Sequence, residues 1–223
     1  MNVKLFIEAI IKFLCGVILI GLLIFLPAGS LNYWNGWLFM GILFIPMFIA
    51  GIVMMIKSPE LLKSRLNAKE KENEQREVVA LSGLMFLAGF IVAGLNYRFE
   101  WITLPSPIVI IGTVLFLLSY LVYAEVLREN VFLSRTIEVQ KNQKVIDTGL
   151  YGIVRHPMYM ATIFLFLSMP LVLGSIISFI IFLVYPFIIA KRIKNEEEVL
   201  EKDLKGYKEY KNKVKYKMIP YIW

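Results

Sequence analysis

The sequence is poor in the residues that usually build metal or redox centres: it has one cysteine and one histidine among 223 residues. Cys15 lies inside the first apolar run, so an internal disulfide is excluded. No Cys/His cluster exists to hold a structural zinc, and no metal site is expected. Charge is also scarce, at 18% of residues against roughly a quarter in an average soluble domain. After Lys12 the long apolar runs contain almost no ionisable side chain. That speaks against a transporter, whose ion and substrate paths use charged groups within the bilayer. Internal repeats, low-complexity tracts and flexible linkers are absent, so residues 1–223 read as one domain.

What is present is apolar surface. Hydrophobic residues make up 58% of the chain and the mean hydropathy is +0.69, more than a soluble fold of this size buries. The pattern predicts an all-α, polytopic membrane bundle of about six spans, near residues 5–26, 37–56, 78–97, 105–127, 158–171 and 174–190. The last two come from one apolar stretch, Met158 to Ala190, broken by Pro170 and Gly174. It is too long for a single span and reads as a hairpin. Ala28-Gly-Ser30 is a poor cleavage site followed by further spans, so the first run reads as a span and not as a removable leader. The net charge of +7 is concentrated in segments 57–77, 128–157 and 191–217, while 27–36 and 170–175 carry no basic residue and 98–104 carries Arg98 alone. The alternation places both termini on the cytoplasmic side of the cell membrane. The basic residues are accounted for by topology and anionic lipid, not nucleic acid.

Within the polar segments, Ser58-Pro59-Glu60 has the residues of a helix start, with Ser58 as cap, and Leu61, Leu62 and Leu66 give that helix an apolar stripe for the membrane surface. Thr136 to Gln140 alternates as a short extended piece would, and Lys141-Asn142-Gln143 reads as a turn. The last 33 residues form a charged amphipathic tail carrying Tyr207, Tyr210, Tyr216, Tyr221 and Trp223.

Two clusters carry chemistry. The first is Gly149-Leu-Tyr151-Gly-Ile-Val-Arg155-His156-Pro157-Met-Tyr159, which holds the single histidine at a membrane boundary. Pro157 suits the first turn of the following helix, which sets Arg155 and His156 at a helix N-terminus that favours an anion. Gly149 and Gly152 permit close backbone approach to a ligand, and Tyr151 and Tyr159 offer rings for stacking. The plain alternative is a lipid-anchoring arginine beside a capping histidine. The second cluster is Lys191-Arg192-Ile-Lys-Asn-Glu196-Glu197-Glu198. Arg192 and Glu196 share a helix face, and the plain alternative there is a weak surface ion pair. Three glutamates at a cytoplasmic helix exit run against the positive-inside bias and suit a cationic ligand. The hairpin brings the two clusters together.

This two-part pattern, Gly149-x-Tyr151-x-x-x-Arg155-His156-Pro157-x-Tyr159 followed after a hairpin by Arg192-x-x-x-Glu196-Glu197, resembles the isoprenylcysteine carboxyl methyltransferase family and its prokaryotic relatives. Phospholipid methyltransferases belong to the same broad group. The resemblance spans roughly residues 136–223. It implies an integral membrane methyltransferase using S-adenosyl-L-methionine, with residues 1–127 as a four-span scaffold and 128–223 as the cofactor-binding catalytic part. The cofactor contacts it implies are Gln140, Val145, Ile146, Tyr151, His156, Pro157, Met158, Tyr159, Glu196 and Glu197. Glu138 is the alternative to Gln140, because the connection to Val145 is shorter than in eukaryotic members. Arg192 and Glu196 are the implied catalytic pair, with Arg192 holding the substrate. The implied partner is a lipophilic or lipidated acceptor taken from among membrane lipids, a carboxylate or, alternatively, a lipid amine. Arg-His-Pro alone is also similar to membrane sterol reductases. A reductase would need a basic pocket for its cofactor's extra phosphate, and the glutamates speak against one.

Overall fold

The computed structural model describes residues 3–67, 73–134 and 136–223. Arg135, within the polar segment discussed above, lies outside the described residues. Helices are the regular structure of the described residues, with a single isolated bridge between Thr103 and Ser175 in place of any strand. The long helices are α1 (Val3–Ala28), α2 (Trp34–Lys57), α4 (Asn73–Phe99) and α5 (Ser106–Glu129); a short α3 (Pro59–Leu66) follows α2. After a long irregular connection come α6 (Pro157–Val172), α7 (Ile176–Phe182), α8 (Tyr185–Asp203) and α9 (Tyr207–Lys213).

Among the described residues five helices are long and apolar enough to span a bilayer, α7 and α8 counting as one through Ile176–Asp203. The sixth expected span, α6, has 16 residues. At 1.5 Å per residue it reaches roughly 24 Å, short of a bilayer core of about 30 Å. The hairpin nonetheless reaches the opposite end of the bundle. The carbonyl of Leu173 accepts a hydrogen bond from the Tyr33 hydroxyl, that of Val172 one from Asn35 Nδ2 at 3.0 Å, and that of Gly174 one from Leu104 N–H at 3.1 Å. The second arm bends at Leu183–Val184, where Pro186 supplies no N–H to the preceding turn.

Small residues set the closest helix contacts. A Cβ on Gly94 would lie 2.5 Å from the Ile24 carbonyl oxygen, and one on Gly112 would lie 2.7 Å from Leu171 Cβ. These positions allow α4 to press on α1 and α5 to run along α6. The core between them is aromatic, with Phe39, Phe90, Phe116 and Phe182 fully enclosed. The outward faces of α1, α2 and α5 remain apolar and exposed, as lipid-facing surfaces must be.

Two sequence expectations change in detail. Ser58 occupies the cap position of α3, but its side chain makes no capping bond. Residues 136–140 adopt no regular structure, and the turn at 141–143 is held by Gln143 N–H on the Gln140 carbonyl at 3.0 Å.

Candidate active site

The bundle gathers its three basic segments at one end. Lys12 Nζ donates to the Leu66 carbonyl at 2.8 Å, Arg65 Nη1 to that of Ser134 at 3.2 Å, and Lys191 pairs with Glu77 at 2.7 Å. Both described termini lie at this end. Between α6, α8, α9 and the 130–146 connection is a cavity of about 830 Å³, counting the part open to solvent at its mouth.

The lower wall comes from the central motif. Gly149 has φ +49°, and a Cβ there would lie 2.2 Å from a Glu129 carboxylate oxygen. Glycine is needed because Glu129 ties this turn to α5, accepting from Thr148 Oγ1 at 2.9 Å and from Leu150 N–H at 3.2 Å. The close backbone approach expected toward a ligand is thus made to Glu129. The 3-10 turn so fixed carries Tyr151 into the cavity wall. Asn130 Nδ2 donates to its hydroxyl at 3.0 Å, and burial raises its phenol well above the ordinary range.

The amides of Arg155 and His156, just before the first turn of α6, are not offered to an anion. Arg155 N–H donates to the Tyr216 carbonyl at 2.9 Å and His156 N–H to that of Lys217 at 2.8 Å. Arg155 Nη1 adds bonds to the carbonyls of Val214 at 2.6 Å and Lys215 at 2.8 Å. The C-terminal tail thus takes these donors with its own backbone carbonyls.

The neighbouring glutamates divide. Glu197 is buried, and its Oε1 accepts from Arg155 Nε at 2.8 Å and His156 Nε2 at 3.1 Å; Lys211 and Lys217 approach its other oxygen to 3.6 and 3.9 Å. Its charge is balanced by the protein. Glu196, one residue earlier and thus rotated about the helix axis, lines the cavity. Tyr159 donates to Glu196 Oε2 at 2.5 Å and accepts from Arg192 Nε at 2.8 Å. Arg192 and Glu196, expected on one helix face, are thus linked through a hydroxyl from α6. Arg192 Nη1 also donates to Gln75 Oε1 at 3.1 Å. Glu198 is exposed.

Of the residues singled out from the sequence, the cavity brings together Val145, Ile146, Tyr151 and His156 from the connection and Met158 and Tyr159 from α6. Arg192 and Glu196 join them from α8. Pro157 and Glu197 are not among the cavity's lining residues, nor is Gln140, whose Nε2 donates to the Phe132 carbonyl at 2.6 Å and which lines a separate depression with Lys12 and Glu60. Glu138 lines the cavity. Two further residues were not singled out. Gln75 belongs to α4, far from both clusters in sequence, and no local pattern marks it. Tyr207 stood out only as one of several tail tyrosines; it lines the cavity from α9. Among the described residues no group of His, Cys, Asp and Glu is arranged to hold a metal.

Residues 107–206, which build most of this cavity, match the phospholipid methyltransferase family. A curated relative is the Delta(14)-sterol reductase of Mus musculus, 28% identical over 91 residues, a match covering 40% of this chain and 22% of the reductase. The chain therefore spans less than a quarter of the length of that relative. The match covers a little under half of the chain and supports a membrane methyltransferase family for the part that forms the site.

Proposed function

We propose that this protein is an integral membrane methyltransferase that takes its methyl group from S-adenosyl-L-methionine and passes it to a lipophilic acceptor, a carboxylate. The observation that carries the reading is the row Gln75–Arg192–Tyr159–Glu196, which sets a buried guanidinium and a carboxylate side by side on one cavity wall. When bound, the cofactor supplies an electrophilic methyl on a cationic sulfur. Glu196 faces the cavity and balances positive charge there. Val145, Ile146, Tyr151 and Met158 give apolar and aromatic walls to an adenosyl group. The His156 ring is held in one orientation by Glu197.

Arg192 holds the acceptor carboxylate by charge-assisted hydrogen bonds. Tyr159 accepts from Arg192 Nε and so fixes the guanidinium plane. A carboxylate is already a nucleophile, so the site has no proton to remove and works by alignment and exclusion of water. The acceptor's apolar tail lies among the membrane helices. The basic end of the bundle, with both termini and the site, faces the cytoplasm, and residues 1–127 serve as scaffold to the catalytic part, 128–223, within one domain.

A second reading, methylation of a lipid amine, is favoured by the match to phospholipid methyltransferases. It sets a protonated amine against Arg192, which opposes it. The similarity to a sterol reductase is separated from both readings by titration with a nicotinamide cofactor.

The test compares two ligands that differ in charge at sulfur. Purified protein in detergent binds S-adenosylmethionine and S-adenosylhomocysteine. Glu196→Gln weakens the sulfonium ligand about tenfold, a difference of about 1.4 kcal/mol, and leaves the neutral thioether nearly unchanged. Equal losses for both ligands would remove Glu196 from charge recognition, and no binding of either by wild type would end the methyltransferase reading.

A further inference from the structure

The C-terminal segment closes the cavity and leaves one buried polar group without a partner at its wall. Gly206, at φ +87°, turns the chain back from α8 into α9. Tyr210 on α9 donates from its hydroxyl to the Tyr151 carbonyl at 2.7 Å, and Lys213 pairs with Asp147 at 2.7 Å. Leu204, Tyr207, Tyr210 and Val214 then form a small core of their own with Val145 packed against it. Together with the bonds from Arg155 and His156 to residues 214–217, these contacts fix α9 as a wall of the site.

Tyr207 differs from Tyr210 in one respect. It is 4% exposed and lines the cavity, yet its hydroxyl has no hydrogen-bond partner among the described residues. Buried hydroxyls are almost always satisfied, and an exception calls for a reason. Burial and then the carboxylates of Glu197 and Glu196 push its phenol far above the ordinary range, so it stays protonated. The same two carboxylates oppose an anion at this point.

We propose that the Tyr207 hydroxyl is a ligand contact, completed by a neutral hydroxyl or a cationic group of the adenosyl ligand. This rests on the cofactor reading above. It makes the segment after residue 206 part of the binding site and not only a surface tail. The family match ends at residue 206, before Tyr207.

The experiment uses the full-length protein in detergent with Tyr207→Phe, which removes only the hydroxyl, and S-adenosylhomocysteine as the titrant. The expected result is a five- to tenfold loss of affinity with the ligand-free Tm unchanged or raised, since an unsatisfied polar atom has been removed. Tyr210→Phe is the contrast, because its hydroxyl is already satisfied by Tyr151: its ligand-free Tm falls. Repeating the titration with 5′-methylthioadenosine assigns the contact. A loss that persists places it on the ribose, and a loss that vanishes places it on the ammonium group. Unchanged affinity in Tyr207→Phe beside a binding wild type overturns the assignment alone. So does a ligand-free Tm that falls together with affinity, which would mark a packing role. A wild type that binds no S-adenosylhomocysteine overturns the cofactor reading and this assignment with it.

Discussion

The two ends of the bundle are built on different principles. At the end where the hairpin turns, neutral side chains clamp backbone carbonyls. Tyr33 and Asn35 hold Leu173 and Val172, and Asn96 exchanges bonds with both backbone groups of Ile102. At the other end charged groups are buried, with Arg155, His156 and Glu197 in one cluster and Arg192 beside Glu196 in another. All three buried side-chain polar atoms without a partner among the described residues, on Gln75, Asn195 and Tyr207, lie at this charged end. A region that exists only to hold helices together satisfies its polar groups, because leaving one unmet costs about 1–3 kcal/mol. A binding site keeps some in reserve.

That contrast is tested most severely at Glu197. Glu197→Ala strands Arg155 in a buried site, and the cost expected for breaking such a pair is about 3–5 kcal/mol. Thermal unfolding in detergent reads it, and a stability equal to wild type would show that the tail is held by its backbone bonds alone. Arg192→Gln leaves the fold but removes the charge offered to the acceptor. Its KM for a lipid carboxylate rises by at least about tenfold, since charge-assisted bonds are the stronger class, while S-adenosylhomocysteine binds as before. If turnover instead improves with a lipid amine, the second functional reading gains.

Gln75→Ala acts through Arg192. Losing this one hydrogen bond to the charged guanidinium loosens its placement and raises the acceptor's KM about fivefold with ligand affinity unmoved. A matching change in S-adenosylhomocysteine affinity would reassign Gln75 to general packing. At the opposite end Tyr33→Phe costs about 1 kcal/mol of stability and leaves ligand affinity alone. An effect on affinity there would mean that the two ends are coupled through the hairpin.

Much of the frame was legible in the sequence because its signals are local. Apolar runs are read against bilayer thickness, and the segregation of Lys and Arg separates the two ends. Pro170 and Gly174 mark the hairpin, and the hairpin brings Tyr151, His156 and Tyr159 to Arg192 and Glu196. What was misread depended on partners distant in the chain. The amides at Arg155 and His156 are the right donors for an anion, but residues 216 and 217 reach them first. Gly149 makes a close approach, but to Glu129. The length of α6 also fell short of a full span, because the motif at 149–157 and the turn at 173–175 leave it only 16 residues.

The sequence by itself determined that this is a helical membrane protein, which end of each helix is basic, and which two clusters meet. Those properties follow from the solvation of each segment, and solvation is set by composition and order. Only the tertiary structure decided the roles within the clusters. Glu196 and Glu197 are identical in chemistry and adjacent in the chain. One residue's rotation along α8 turns Glu196 to the cavity and Glu197 to Arg155. Gln75 and Tyr207 enter the site from α4 and α9, because packing brings together side chains that no local pattern links.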